Sequence, residues 1–185
     1  MALFAAFVSH QVRDRLRCKT LWSKPDKTQG EGIMQQQQAA EFGIGEARRV
    51  LGEVFAPWVQ DLKLSVEAFD FDPPEGASDW QPGAILRMPF SERLCRIGGV
   101  VCGQALMAFA DTAMVIANLA ANRGYRMMTT VDQTTHFMRA VAASDVLADA
   151  RVVRLGRTMV FGRVTLSSAA DNKPVAMVSS AFAML

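Results

Sequence analysis

Metal-ligating residues are scarce in this 185-residue chain: there are two histidines and three cysteines, Cys18, Cys95 and Cys102, with no Cys-x-x-Cys pair. Zinc sites and dithiol redox motifs need closer-spaced ligands than these, so no metal or redox cofactor is expected. An odd set of unpaired thiols suits a reducing, cytoplasmic setting. Excess charge of one sign is also lacking. Twenty basic residues face eighteen acidic ones, for a net charge of +2. No basic stripe interleaved with aromatics is present, so nucleic acid is not an expected partner. Internal repeats are absent, and residues 35–38, four glutamines, are the only low-complexity tract.

Charge is nearly missing from one long stretch. Residues 100–121 read VVCGQALMAFADTAMVIANLAA and hold a single charged side chain, Asp111. A segment this apolar is expected to be a helix buried over most of its surface. An unpaired buried carboxylate costs several kcal/mol, roughly, so Asp111 needs a partner, a polar cleft or a chemical role. Gln104, Asp111 and Asn118 are spaced by seven, about two helical turns. They form one narrow polar line on an otherwise apolar cylinder. That line is expected to wall an active site, with Asp111 as its reactive group. The segment is long enough to span a bilayer. A central carboxylate is expensive in lipid, however, and the amphipathic strands that follow need a helix to cover them.

The rest of the chain divides by composition. Residues 1–33 are expected to be a disordered or non-native extension: an apolar then basic start, the reverse of a secretory signal, followed by a polar linker over residues 20–32. Met34 is the expected natural start. Residues 34–57 are assigned to an N-terminal helix, with helical spacing over residues 36–55 that stops before Pro57. Residues 58–185 are assigned to the main domain. Strands are predicted over residues 62–71 and 83–90, joined by the Pro- and Gly-rich segment 72–82, then over residues 127–138, 146–155, 158–166 and 174–184. A hairpin, one long buried helix and a run of strands imply α+β, with a curled antiparallel sheet wrapped around the helix.

Several motifs lie on this frame. CGQALMAFADTAM resembles the helix-start motif of hotdog-fold acyl-CoA thioesterases of the phenylacetate-degradation type, which show His-Gly-Gly followed six residues later by Ala-Asp-Thr-Ala. THFMRA resembles that family's Asn-Phe-Leu-Arg-Pro strand. DVLADARVVRLGRTMVFGRVTL resembles its paired strands, and PVAMVSSAFAML its closing strand. The likeness covers residues 62–185. It implies a hotdog fold that hydrolyses an acyl-CoA to a free acid and coenzyme A, with coenzyme A entering only as part of the substrate. It makes Asp111 the general base or nucleophile and gives the Gly103 N–H the polarising of the thioester carbonyl. A helix N-terminus presents the free N–H groups such an oxyanion needs. Eight helical residues separate Gly103 from Asp111, about 12 Å, too far to serve one ester. The resemblance resolves this by self-association as a dimer or tetramer, with one subunit giving the helix start and the other the carboxylate.

The chain departs from the family pattern at four places. The family His falls on Cys102, its second Gly on Gln104, its Asn on Arg96 and its Pro on Ala140. Cys102 lacks a histidine's two-ended hydrogen bonding. Gln104 can offer an amide to the carbonyl, and Arg96 a cation to a phosphate. Thr130 falls where family members place a serine that helps the water, so it is expected to position water from the partner subunit. Thr112, Arg154 and Arg157 complete the expected substrate contacts, the two arginines flanking Gly156 at a turn and suited to phosphates. Three side chains keep two readings. Cys102 is a nucleophilic thiol or a small hydrophobe. His136 is a partner to Asp132 or an exposed strand residue, and the methionines are core filler or a pliable acyl pocket. The alternative function is a non-catalytic acyl-CoA sensor or scaffold on the same fold. A hotdog hydratase would need a His and an acid near the helix start, which this sequence does not supply.

Overall fold

Helix α1, Ile44–Glu53, presents Ala47 and Val50 to the core and holds its outer face with Arg49, which donates to Glu46 at 2.6 Å and to Glu53 at 3.0 Å. The computed structural model describes residues 42–185. The expectations for the extension, Met34 and residues 36–41 therefore lie outside the described residues. As expected, α1 stops ahead of Pro57. That proline instead opens a one-turn helix, α2, Pro57–Gln60, because the ring suits a first helical position where no N–H is needed.

Strand β1, Ser65–Asp70, pairs antiparallel with β2, Gly83–Met88, confirming the predicted hairpin. A one-turn 3-10 helix, Glu92–Leu94, follows. Two short strands, β3, Cys95–Arg96, and β4, Val100–Val101, then form a small hairpin. Its tip carries Gly98 and Gly99 at φ 98° and 74°, a backbone that L side chains rarely adopt. The long helix, α3, therefore spans Gly103–Ala121 rather than starting at Val100. Two adjacent β-branched residues after a Gly-Gly turn favour the strand.

The helix stops in a Schellman arrangement: Arg123 N–H donates to Ala120 O at 2.9 Å and Gly124 N–H to Leu119 O at 3.2 Å. The left-handed residue is Arg123, φ 52°, and not the neighbouring glycine.

The remaining strands are β5, Met128–Phe137, β6, Val146–Leu155, β7, Met159–Ser168, and β8, Pro174–Met184. With β1 and β2 they form a six-stranded antiparallel sheet in the order β1-β2-β6-β7-β8-β5. Helix α3 lies across one face, chiefly on β6 and β2. Phe109, Met114 and Ile116 of the helix and Leu86, Leu166 and Phe182 of the sheet are buried together, each contributing about 1.5–3 kcal/mol. The approach is tight at Gly162, where a Cβ would sit 2.2 Å from Met114 Sδ. By length and hydropathy α3 passes as a membrane span, yet most of it is buried as the core helix of this domain. The described residues belong to one compact unit. The α+β reading, with its curled sheet around a central helix, is confirmed.

Candidate active site

The polar line on α3 faces β5. Gln104 is exposed, Asp111 is half-buried and Asn118 is fully buried. Strand β5 sends alternate side chains toward the helix. Thr130 lies opposite Phe182, Gln133 opposite Ser180, and Phe137 opposite Ala176. The register shifts between Thr130 and Asp132. A bulge of this kind inserts one residue, so Thr130 and Gln133, three apart, both face α3. Thr130 Oγ1 donates to Asp111 Oδ1 at 2.8 Å. Gln133 Nε2 donates to Met107 O, one turn before Asp111, at 3.2 Å. Further along, Asn118 Nδ2 approaches Met128 Sδ at 3.6 Å, leaving its buried Oδ1 without a partner.

Two opposed effects set the proton affinity of Asp111. Partial burial raises its pKa, and the Thr130 hydrogen bond lowers it by a smaller amount, so the net shift is upward. The carboxylate is thus a stronger base than an exposed aspartate, held in one orientation by a hydroxyl. Among the described residues it is the only acid on α3.

The helix start is built differently. Cys102 occupies the N-cap with no side-chain cap hydrogen bond, so the first-turn N–H groups are not consumed by a cap. Phe137 closes over this end: a Cβ on Gly103 would meet Phe137 Cζ at 3.1 Å. Gly103, Gln104 and Cys102 therefore sit together under the end of β5, while Asp111 and Thr130 form a second group two turns along. Arg96 belongs to the first group's surroundings. It lines a cleft of about 640 Å³ with Phe90, Cys95 and Ile97, beside the β3–β4 hairpin.

Other expected contacts fall elsewhere. Thr112 is 2% exposed and packed inside, so the substrate contact expected of it is not available; on a helix its neighbour Asp111 takes the open face. Arg154 and Arg157 are exposed at the β6–β7 turn, at the end of the sheet that holds the C-terminus of α3, away from Gly103. His136 lies opposite Met177 and Asp132 opposite Ala181, on the outer face of the sheet and turned from Asp111. Gln133 and Phe137 were not anticipated. Only the bulge brings Gln133 to the helix, and nothing in the local sequence marks it.

The comparisons bear on the fold that carries this site. The Thioesterase superfamily profile matches residues 98–175, from the β3–β4 tip to the start of β8. No curated protein matches the chain. Among solved structures, zebra fish thioesterase superfamily member 2 superposes with a TM-score of 0.64 at 21% identity, over 78% of this chain and 99% of that one. A thioesterase from Haemophilus influenzae gives 0.65 at 19%, over 80% and 93%. The E. coli PaaI protein from the phenylacetic acid degradation operon gives 0.60 at 16%, over 77% and 95%. Residues 98–175 are thus similar to the thioesterase superfamily, and the fold is the hotdog that these solved thioesterases share.

Proposed function

We propose that the protein hydrolyses acyl-CoA thioesters, with Asp111 activating water or attacking the carbonyl directly. The observation that carries this reading is the state of Asp111: a half-buried carboxylate, raised in pKa, oriented by Thr130 and set beside an open sheet edge. As base, Asp111 takes a proton from water as the oxygen attacks the thioester carbon. The carbonyl electrons move onto its oxygen, where first-turn N–H groups of α3 at Gly103, aided by the Gln104 amide, receive the charge. Collapse expels the thiolate of coenzyme A, which leaves with a proton.

One protomer does not hold both halves at one ester, since Gly103 and Asp111 are about 12 Å apart along α3. The reading therefore includes pairing of two chains through β5, so that the helix start of one chain meets Asp111 and Thr130 of the other. Strand β5 supports this, because it bonds only to β8 and leaves its other edge free among the described residues.

A free-thiol release assay over short, long and aromatic acyl-CoA esters tests the proposal. Asp111→Asn is expected to lower turnover by about 10²–10⁴-fold while the fold is kept. Full turnover in that variant would refute the role of Asp111. The uncapped Cys102 in place of the family histidine favours the second reading, an acyl-CoA-binding protein without hydrolysis. Tight binding with no thiol released by the wild type would establish it.

A further inference from the structure

The two ends of the Gln133 amide are in different situations. Its Nε2 donates to Met107 O at 3.2 Å. Its Oε1 is buried with no hydrogen-bond partner among the described residues, as is Ser180 Oγ opposite it on β8. A buried acceptor left unmatched is costly, and an apolar side chain at this inward position would avoid the cost. The donor end therefore needs a reason to be there. Met107 lies four residues before Asp111, so within α3 its carbonyl already accepts the Asp111 N–H. A carbonyl oxygen has two lone pairs and takes both donors. Strand β5 thus grips the Asp111 turn twice. Thr130 holds the carboxylate at 2.8 Å, and Gln133 holds the carbonyl to which the Asp111 backbone is bonded. Thr130 and Gln133 lie on either side of the register shift, so both contacts to this one turn straddle the bulge.

We infer that Gln133 is a positioning residue for the proposed hydrolysis: its amide locks the turn that carries Asp111 against β5 and so fixes the carboxylate beside Thr130. The inference rests on the reading of Asp111 as base or nucleophile. Two features make such a lock useful. Strand β5 bonds to β8 alone among the described strands, so one of its sides has no ladder to hold it. A carboxylate that must meet a thioester in one geometry loses about a hundredfold in rate when it is misplaced by about 1 Å. The lock itself carries no charge. The side chains that β5 and β8 turn to this stretch of α3 are Thr130, Gln133, Ser180 and Phe182, and the buried positions of β2, β6 and β7 are Ala, Val, Leu, Met and Gly. None of these titrates. A shift in the Asp111 titration on replacing Gln133 by an uncharged residue therefore reports the geometry of the Thr130 bond.

Gln133→Met keeps the reach of the side chain and removes its donor, and Gln133→Leu is a second variant of the same kind. Both are compared, as full-length protein, with the wild type, Thr130→Val and the Thr130→Val/Gln133→Met double variant, with circular dichroism reading the fold. Thiol release gives kcat and KM for hexanoyl-CoA across pH, and carbon-13 NMR titrates the Asp111 carboxyl directly. Gln133→Met is expected to lower kcat at least about tenfold while KM stays within about twofold. It should move the Asp111 titration to higher pH, in the direction set by Thr130→Val. In the double variant the titration should stand where Thr130→Val alone puts it, because the lock acts through that bond. A Gln133 that only supports the fold would lower Tm and leave the titration in place. An unmoved titration in the folded variants overturns the inference whatever happens to kcat, and so does a moved titration with wild-type turnover. Failure of both single variants to fold would make Gln133 a stability residue and overturn it as well. If no chain, wild type included, hydrolyses the ester while Gln133→Met still moves the Asp111 titration, the hydrolase reading falls and the lock on Asp111 remains.

Discussion

The two edges of the sheet are finished in opposite ways, one covered and the other bare among the described residues, and the candidate site lies at the bare one. At the β1 edge, α1 packs against the strand. Phe42, 1% exposed, meets Phe69 edge-on at 5.8 Å, and Phe69 stacks on Phe71 at 5.2 Å. A bulge between Val66 and Ala68 further spoils that edge for pairing. At the β5 edge, ten residues lie along a ladder that is free among the described residues, with Val131 59% and Phe137 51% exposed. Soluble proteins blunt bare edges of this kind unless the edge has a partner. Asp111, Thr130 and Phe137 all sit at the bare edge and none at the covered one.

If the bare edge is an assembly surface, a charge there should act on association first. Val131→Lys places two like charges across a two-fold pairing of β5. It is expected to cost several kcal/mol of association, roughly a hundredfold or more in dissociation constant. Sedimentation would read the shift to monomer. Under the proposed function each site draws on two chains, so thioester hydrolysis should fall with the dimer fraction. A monomeric Val131→Lys that keeps wild-type turnover would show that one protomer suffices.

The covered edge should respond in the other coin. Phe69→Ala removes a half-buried ring from the Phe42–Phe69–Phe71 cluster and is expected to cost about 2 kcal/mol of protomer stability. In a chain of this size that is roughly 6 °C in Tm. The dissociation constant of the assembly should not change. A Phe69→Ala protein that loses association instead would move the interface to β1.

These contrasts also mark what could be read from the residues alone. The alternation of β6 and β8 and the apolar cylinder of α3 are direct consequences of burial, and they appear where the pattern places them. The start of α3 was displaced because Val100 and Val101, apolar enough for the helix, are captured by β3 across a Gly-Gly tip. The spacing of Gln104, Asp111 and Asn118 marked the face of α3 that meets β5. It could not show that burial rises along that line, since burial depends on how far β5 reaches. Thr130 was identified through family resemblance, and its bond to Asp111 depends on a bulge in β5. Thr112 was misplaced because adjacency in sequence is not adjacency of faces on a helix: a step of one residue turns the side chain from the cleft into the core.

The finest test bears on the pairing of Thr130 with Asp111. Burial raises the Asp111 pKa and the Thr130 hydroxyl holds it partly down. Thr130→Val should therefore release a further upward shift, and the acid limb of kcat/KM should move to higher pH. An unmoved limb would separate Thr130 from the ionisation of Asp111. Stability gives the same sign by another route. A group with a raised native pKa favours the folded state while protonated, and that contribution is lost as pH climbs through the native value. Ionised Asp111 is thus a cost at neutral pH. Asp111→Asn, whose amide oxygen can still accept from Thr130, should raise Tm slightly at neutral pH. The gain should shrink as pH falls through the raised native value and vanish below the ordinary carboxylate range. Paired with a large loss of turnover, that small gain would mark Asp111 as retained for chemistry at the expense of the fold.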